Sequence, residues 1–260
     1  LISGKPQTEL SVERTVSETF DLYFKNFATL FIPMLIAYLI SGGIGAALAR
    51  FYTSSIPPVP TTGVLEDVTN WISKYLSTLI AVALVAGLIG WIIDVIAYGT
   101  VIKCSSELID NNRTSLKGAV RFTARKLPSL LAGAILLAIM IGAGLIAVII
   151  PGIILGLMFS LTVSAIMIEN VGAIDGLSRS RKLVSHRWLK TFAILLIMGI
   201  IVIVVSGIAN LIASPFGGYG WVLSSIITAF IAPILPITLT VHYYSMRAKE
   251  QPAAPTQALS

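Results

Sequence analysis

Over long stretches this sequence lacks charge. No Asp, Glu, Lys or Arg occurs from residue 127 to 168, nor from 191 to 246. Charged residues make up 12% of the chain, against about 25% in a soluble domain. A helix crossing the roughly 30 Å hydrocarbon layer needs about 20 apolar residues. Each charge near the bilayer centre costs about 2.5–3.5 kcal/mol on insertion scales. The first uncharged run holds two such crossings with a tight turn, and the second holds two with a short loop. A soluble globular domain is therefore excluded in favour of a polytopic membrane protein.

Other scarcities narrow the chemistry. Cys104 is the one cysteine, which excludes an intrachain disulfide and a Cys-based metal cluster. It is expected to pack at the inner end of a membrane helix. The two histidines, His186 and His242, stand in different segments and make no metal site. There is no His-Glu-x-x-His, Gly-x-Ser-x-Gly, Walker loop or paired-Asp metal motif. Asp175-Gly176 begins loosely like the Asp-Gly-x-x-Ala-Arg of membrane alcohol phosphotransferases. Arg179, however, stands where that pattern needs Ala, and no second Asp motif follows. No cofactor is implied, and the expectation is a protein that is not an enzyme. The segment before position 26 is polar and amphipathic, unlike a cleavable signal. Leu1 in place of Met fits a trimmed start.

What is there is apolar: 56% hydrophobic residues and a mean hydropathy of +0.90. The pattern predicts an all-α fold, a polytopic membrane bundle of six spans in three hairpins. The spans run about Phe27–Ala49, Leu76–Ile102, Leu130–Ile150, then from a turn at Pro151-Gly152 to Ile168, Phe192–Ala213 and Trp221–Tyr244. The apolar run of the second span exceeds the bilayer, so it tilts or protrudes. Continuous apolar runs argue against alternating β-barrel strands. Ser214 to Gly220 reads as a tight loop. Phe51 to Asn70, with Pro57, Pro58 and Pro60, reads as an irregular outer connection. Of the 18 Lys and Arg, only Arg50 and Lys74 fall outside the N-terminal segment, the two intervening basic loops and the tail. The positive-inside rule then puts both termini in the cytoplasm of a multi-pass cell-membrane protein. On that side Asn112-Arg113-Thr114 is a chance match to the glycosylation pattern.

Each hairpin follows an amphipathic segment expected to lie at the membrane interface. The first, about 10–26, presents Val12, Val16, Thr19, Phe20 and Tyr23. The second, about 114–127, presents Leu116, Ala119, Val120 and Thr123, with Arg113, Lys117, Arg121 and Arg125 in a row spaced by four. The third, about 174–189, presents Ile174, Leu177, Val184 and Trp188, with Arg181 and Lys182 on its basic side. These rows suit anionic headgroups, at about 1 kcal/mol per residue. They carry no aromatic stacking pattern and suggest no nucleic acid. The expected organisation is one membrane domain, 1–247, of three units (about 8–110, 113–170 and 172–247), with a disordered cytoplasmic tail at 248–260. Small residues such as Gly42, Gly43, Gly142 and Gly144 permit close helix approach within the chain, in a homo-oligomer or to another membrane protein.

Two intramembrane polar groups stand out. Asp94 sits in Ile92-Ile93-Asp94-Val95-Ile96, nine residues before Lys103 and so about 13 Å along a helix. Intramembrane acids mark an ion or proton path, make a structural hydrogen bond to another helix, or sit in water near the inner rim. Asn210 is the weaker candidate, a residue type that usually bonds between helices. Pro233 and Pro236 interrupt the sixth span and free backbone carbonyls, which in membrane proteins either build ion sites or kink the helix.

The stretch from Pro151 to Trp188 carries Glu169, Gly172, Leu177, Arg179-Ser180, Leu183-Val184 and Trp188 in order. The opening segment carries Thr15, Thr19-Phe20, Leu22-Tyr23 and Lys25-Asn26-Phe27. Together they resemble a family of uncharacterised prokaryotic six-helix integral membrane proteins. That family includes the membrane region of some glycerophosphoryl diester phosphodiesterases. The resemblance implies the fold and topology. These 260 residues contain no soluble phosphodiesterase domain, so that activity is not implied. Glu169 is expected to pair with Arg179 or to favour the positive N-terminus of the helix that holds it. The leading functional expectation is a membrane scaffold or a partner- or lipid-binding bundle. The alternative is a channel or transporter for an ion or small molecule using Asp94.

Overall fold

A computed structural model describes residues 5–61, 63–147, 149–185 and 187–250. His186 and the tail residues 251–260 lie outside the described residues. The chain is 86% helix, with no strand among the described residues. The helices are α1 (Val12–Lys25), α2 (Phe27–Ser55), α3 (Leu65–Asn111), α4 (Leu116–Ala147), α5 (Ile149–Met158), α6 (Thr162–Ile168), α7 (Ala173–Val184), α8 (Trp188–Ala213), α9 (Gly220–Ile231) and α10 (Ile234–Ala248). Among the described residues, five stretches are long and apolar enough to cross a membrane: Phe27–Ser55, Leu65–Asn111, Leu116–Leu145, Ile150–Ile168 and Trp188–Ala248.

Local chemistry sets the boundaries. The Ser11 side chain caps α1 by accepting from the Arg14 amide, replacing a donor's missing helical partner. Asn112 ends α3 in the left-handed region, φ 54°, which Asn tolerates better than most side chains. The last apolar stretch, Trp188–Ala248, contains a reversal at a 3-10 turn, Ser214–Tyr219. Gly217 there has φ 53° and ψ −128°, a backbone shape open to glycine. Helices α8 and α9 pack side by side across it.

Three sequence readings differ in detail. The irregular connection expected from Phe51 to Asn70 is helical at both ends, because α2 runs to Ser55 and α3 begins at Leu65. The segment 114–127 is not a separate helix: α4 runs unbroken through Pro128. A proline there removes one helical bond and favours a kink, but the apolar face continues on both sides and holds the helix together. The turn expected at Pro151-Gly152 falls inside α5, which begins at Ile149. Proline costs little in a first turn, where the amide lacks a helical partner anyway. Helices α4 and α5 approach closely: a Cβ on Gly144 would sit 2.9 Å from the Gly152 Cα.

Packing is uneven along the bundle. Residues 234 to 246 of α10 are all buried except Leu235. Around them lie the second half of α3, with Val101 and Cys104 fully buried, and the first part of α2, with Leu30 and Met34. No described residue of α3 before Ala97 is buried. Ile80, Leu84, Val85 and Leu88 of α3 and Ile203 and Val204 of α8 are exposed. The end that carries the chain termini is thus a solid core, and the opposite end is a set of loosely joined apolar helices.

Candidate functional site

The termini end is stitched by three polar clusters. In the first, Arg179 Nε of α7 donates to Glu169 Oε1 at 3.0 Å, just past α6. Its Nη2 reaches Glu250 Oε2 at 2.6 Å. Two opposing partners overcome the effect of burial and hold the guanidinium pKa above its usual value. The Arg179 hydrogen bond is the main reason that Glu250 lies below the ordinary carboxylate range, against a smaller opposing effect of burial. Ser180, next in the chain, enters the break between α5 and α6. Its hydroxyl donates to the Met158 carbonyl at 2.8 Å and accepts from the Leu161 amide at 3.1 Å. Both backbone groups are freed by that break. Gly172 is the N-cap position of α7. The family-motif residues Glu169, Gly172, Arg179 and Ser180 therefore come together as a junction of α5, α6, α7 and the end of α10.

In the second cluster Glu9 pairs with both Arg187 and Lys190, and Lys190 also donates to the Leu10 carbonyl. Burial pushes the Glu9 carboxyl upward, yet the Lys190 hydrogen bond and the Lys190, Arg187 and Lys249 charges outweigh it and leave the pKa lowered. Fully buried His242 shares a 3.0 Å hydrogen bond with Thr191 beside it. In the third, Tyr244 donates to Asp110 at 2.9 Å and lies 2.9 Å from the Ser106 hydroxyl. Lys5 pairs with Asp110 at 3.2 Å. The Tyr23 hydroxyl donates to the Phe230 carbonyl at 2.7 Å, capping a backbone group at the α9–α10 break, and burial pushes its pKa up to about 12.

Asp94 lies elsewhere, where the solid core gives way to the open end. It is exposed, and its carboxylate accepts a long 3.5 Å hydrogen bond from Ser41 of α2. It lines a cavity of about 170 Å³ with Met34 and Tyr38 of α2, Tyr98 of α3, Val202 of α8, and Ala232 and Leu235. Ala232 lies between α9 and α10. Because Pro236 has no amide hydrogen, the Ala232 carbonyl lacks its helical donor. The intramembrane acid and the proline-broken helix, separate features of the sequence, thus meet at one cavity. Tyr98 stands one turn along α3 from Asp94 and is readable from that spacing, whereas Ser41 and Tyr38 join it only through the pairing of α2 with α3.

Asn210 is exposed on α8 and bonds largely within its own hairpin. Its amide donates to the Ser206 carbonyl at 2.8 Å, and its oxygen accepts from Ser224 at 3.3 Å. It lines a second cavity of about 460 Å³, with Gly42, Ser214, Trp221, Ser224 and Ser225. The basic residues Arg113, Lys117, Arg121, Arg125, Arg181 and Lys182 are all exposed. Lys182 lies 3.7 Å from Glu250, and the other five make no ion pair among the described residues.

No curated protein and no solved structure matches the sequence. A family model described as a domain of unknown function, DUF7847, matches residues 15–245. That match spans most of the chain, so the chain belongs to this family.

Proposed function

We propose that this chain is a six-span integral membrane protein that binds a small solute or ion beside Asp94, in the manner of a transporter or channel. The observation that carries the reading is the shared cavity of Asp94 and the α9–α10 break. Membrane acids that face cavities rather than lipid mark ion and substrate paths, and discontinuous helices at such sites offer unpaired carbonyls. The six spans are α2, α3, α4, α5 with α6, α8, and α9 with α10, arranged as three hairpins. Both termini are cytoplasmic, consistent with the basic residues gathered at the termini end. Helices α1 and α7 lie along the inner surface, and the first turns of α4 project from it, where the row from Arg113 to Arg125 meets anionic headgroups. The resemblance to the membrane region of some glycerophosphoryl diester phosphodiesterases extends to fold and topology, with no hydrolase chemistry.

The test is ion flux through the full chain in proteoliposomes, wild type against Asp94→Asn, with folding followed by thermal melting. Flux lost in a folded variant supports the reading. Equal flux in both, or none in either, turns it toward the second reading, a scaffold or partner- and lipid-binding bundle. One observation favours that second reading: the three polar clusters fix the cytoplasmic end as a rigid base.

A further inference from the structure

We infer that the Asp94 site takes a small organic ammonium ion, which reaches it from the non-cytoplasmic side through the cavity at Asn210. The inference rests on the Asp94 reading above and names its ligand class and its route.

The two cavities lie along the same helix faces. On α2, Tyr38 borders the inner one and Gly42 the outer one. Four residues apart, they share a face about 6 Å apart along the axis. On the α9 side, Ser225 borders the outer cavity and Ala232 the inner one. Seven residues apart, they again share a face. On α8, Asn210 and Val202 repeat the pattern. The level between the cavities is marked by the Ser225 hydroxyl, which donates to the Tyr38 carbonyl at 3.1 Å. Beyond the inner cavity toward the cytoplasm the core is closed by buried Val101, Ile237 and Val241. The two cavities thus lie in line from the hairpin end to Asp94, with the buried Ser225 contact between them.

The serine hydroxyls along this line offer acceptors, beside donors on the Asn210 amide, the Trp221 indole and the Tyr38 and Tyr98 phenols. Ser214 donates to the Leu211 carbonyl at 2.9 Å, Ser224 to Asn210, and Ser225 to Tyr38. Each hydroxyl has spent its one proton inward and keeps lone pairs for a ligand. Below them comes the Asp94 carboxylate, which accepts from Ser41, and Ala232 borders the same cavity. No Lys, Arg or His borders either cavity. A route that offers these lone pairs, has no cationic side chain on it among the described residues and ends in a carboxylate selects a cation that donates hydrogen bonds.

The inner walls decide which cation. Apart from Asp94 the lining is Met34, Val202, Leu235 and the rings of Tyr38 and Tyr98, with Ala232. A bare metal ion wants a shell of oxygens, whereas Asp94 is the one charged donor here, beside two phenols on an otherwise apolar wall. An alkylammonium ion needs one carboxylate, apolar contact for its carbons and aromatic faces for its charge. A cavity of about 170 Å³ suits a cation of a few carbons.

The test uses the full chain in lipid nanodiscs, with ethylammonium as the probe, sodium at equal ionic strength as the comparison, and calorimetric binding with thermal melting as readouts. Wild type is expected to bind ethylammonium more tightly than sodium. Asp94→Asn should weaken ethylammonium by about tenfold or more, as removal of a charge-assisted hydrogen bond does. The pair Asn210→Leu and Ser224→Leu, at the outer cavity, should slow association without matching that loss. Sodium binding that depends on Asp94, with no preference for ethylammonium, overturns this inference while the Asp94 site stands. Ethylammonium binding unchanged in Asp94→Asn, or no binding of either cation, overturns both. An Asp94→Asn protein with wild-type melting keeps the comparison valid; if it melts lower, Asp94→Glu, which retains the charge, is expected to keep the preference, and its loss there counts against the inference.

Discussion

Ser180→Ala removes one oxygen and two hydrogen bonds. The hydroxyl bridges the Met158 carbonyl and the Leu161 amide across the gap between α5 and α6, and Ser180 itself is fully buried. Alanine fits the space but leaves both backbone groups without a partner. A buried donor or acceptor left unmade costs about 1–3 kcal/mol, and part of this is recovered if the α5–α6 break relaxes. The expected loss is thus about 2–4 kcal/mol for two orphaned groups. At about 2–4 °C per kcal/mol for a chain of this size, melting falls on the order of 5–15 °C. The assay is thermal melting of purified protein in one detergent, with Ser178→Ala, one turn-face away and exposed, as control. A Ser180→Ala protein that melts with the control refutes the reasoning, because the break would then be satisfied without the hydroxyl.

Glu9 and Glu250 both have lowered folded-state pKa values. Their stabilisation is therefore present above the unfolded carboxylate range and lost as pH falls through the folded values. Wild type should lose melting temperature below about pH 4.5 more steeply than the Glu9→Gln, Glu250→Gln double variant; parallel pH profiles contradict this. Gly144→Leu forces α4 and α5 apart where a Cβ already comes within 2.9 Å of backbone, so it should destabilise the fold by about 1–3 kcal/mol or more, against little change for Gly142→Leu, whose Cβ meets nothing within 4 Å. A reporter fused after Lys249 should be active only in the cytoplasm and one inserted at Val59 only outside; the reverse pattern sinks the proposed topology.

Much of the helical architecture was legible because hydrocarbon thickness and uncharged runs are one-dimensional facts. Residues 127–168 and 191–246 announce membrane helices before any contact is known. The Glu169–Arg179 pairing was legible too, since both lie within one short stretch and carry opposite charge. The details that escaped are three-dimensional or locally balanced. Pro128 reads as a helix start, yet α4 runs through it, because the apolar face outweighs one lost bond. The α5–α6 break has no glycine or proline at Phe159 to Leu161 and is repaired by a serine about twenty residues on. Nothing in the sequence singles out Glu9, which is placed by the N-terminal segment lying against Arg187 and Lys190. Asp94 was visible as an anomaly with Tyr98 one turn along its own helix, but nothing near it in sequence named Ser41 or Ala232 as its surroundings.

The central claim, that Asp94 faces a solute-accessible cavity and not lipid, is tested most directly by cysteine accessibility. The native Cys104 is fully buried, so a single new thiol can be read. Asp94→Cys is reconstituted in liposomes and treated with a membrane-impermeant cationic methanethiosulfonate, with Leu88→Cys, exposed on the same helix, as the lipid-facing comparison. The account predicts modification at position 94 and none at position 88. No modification at 94, or equal modification at both, contradicts it.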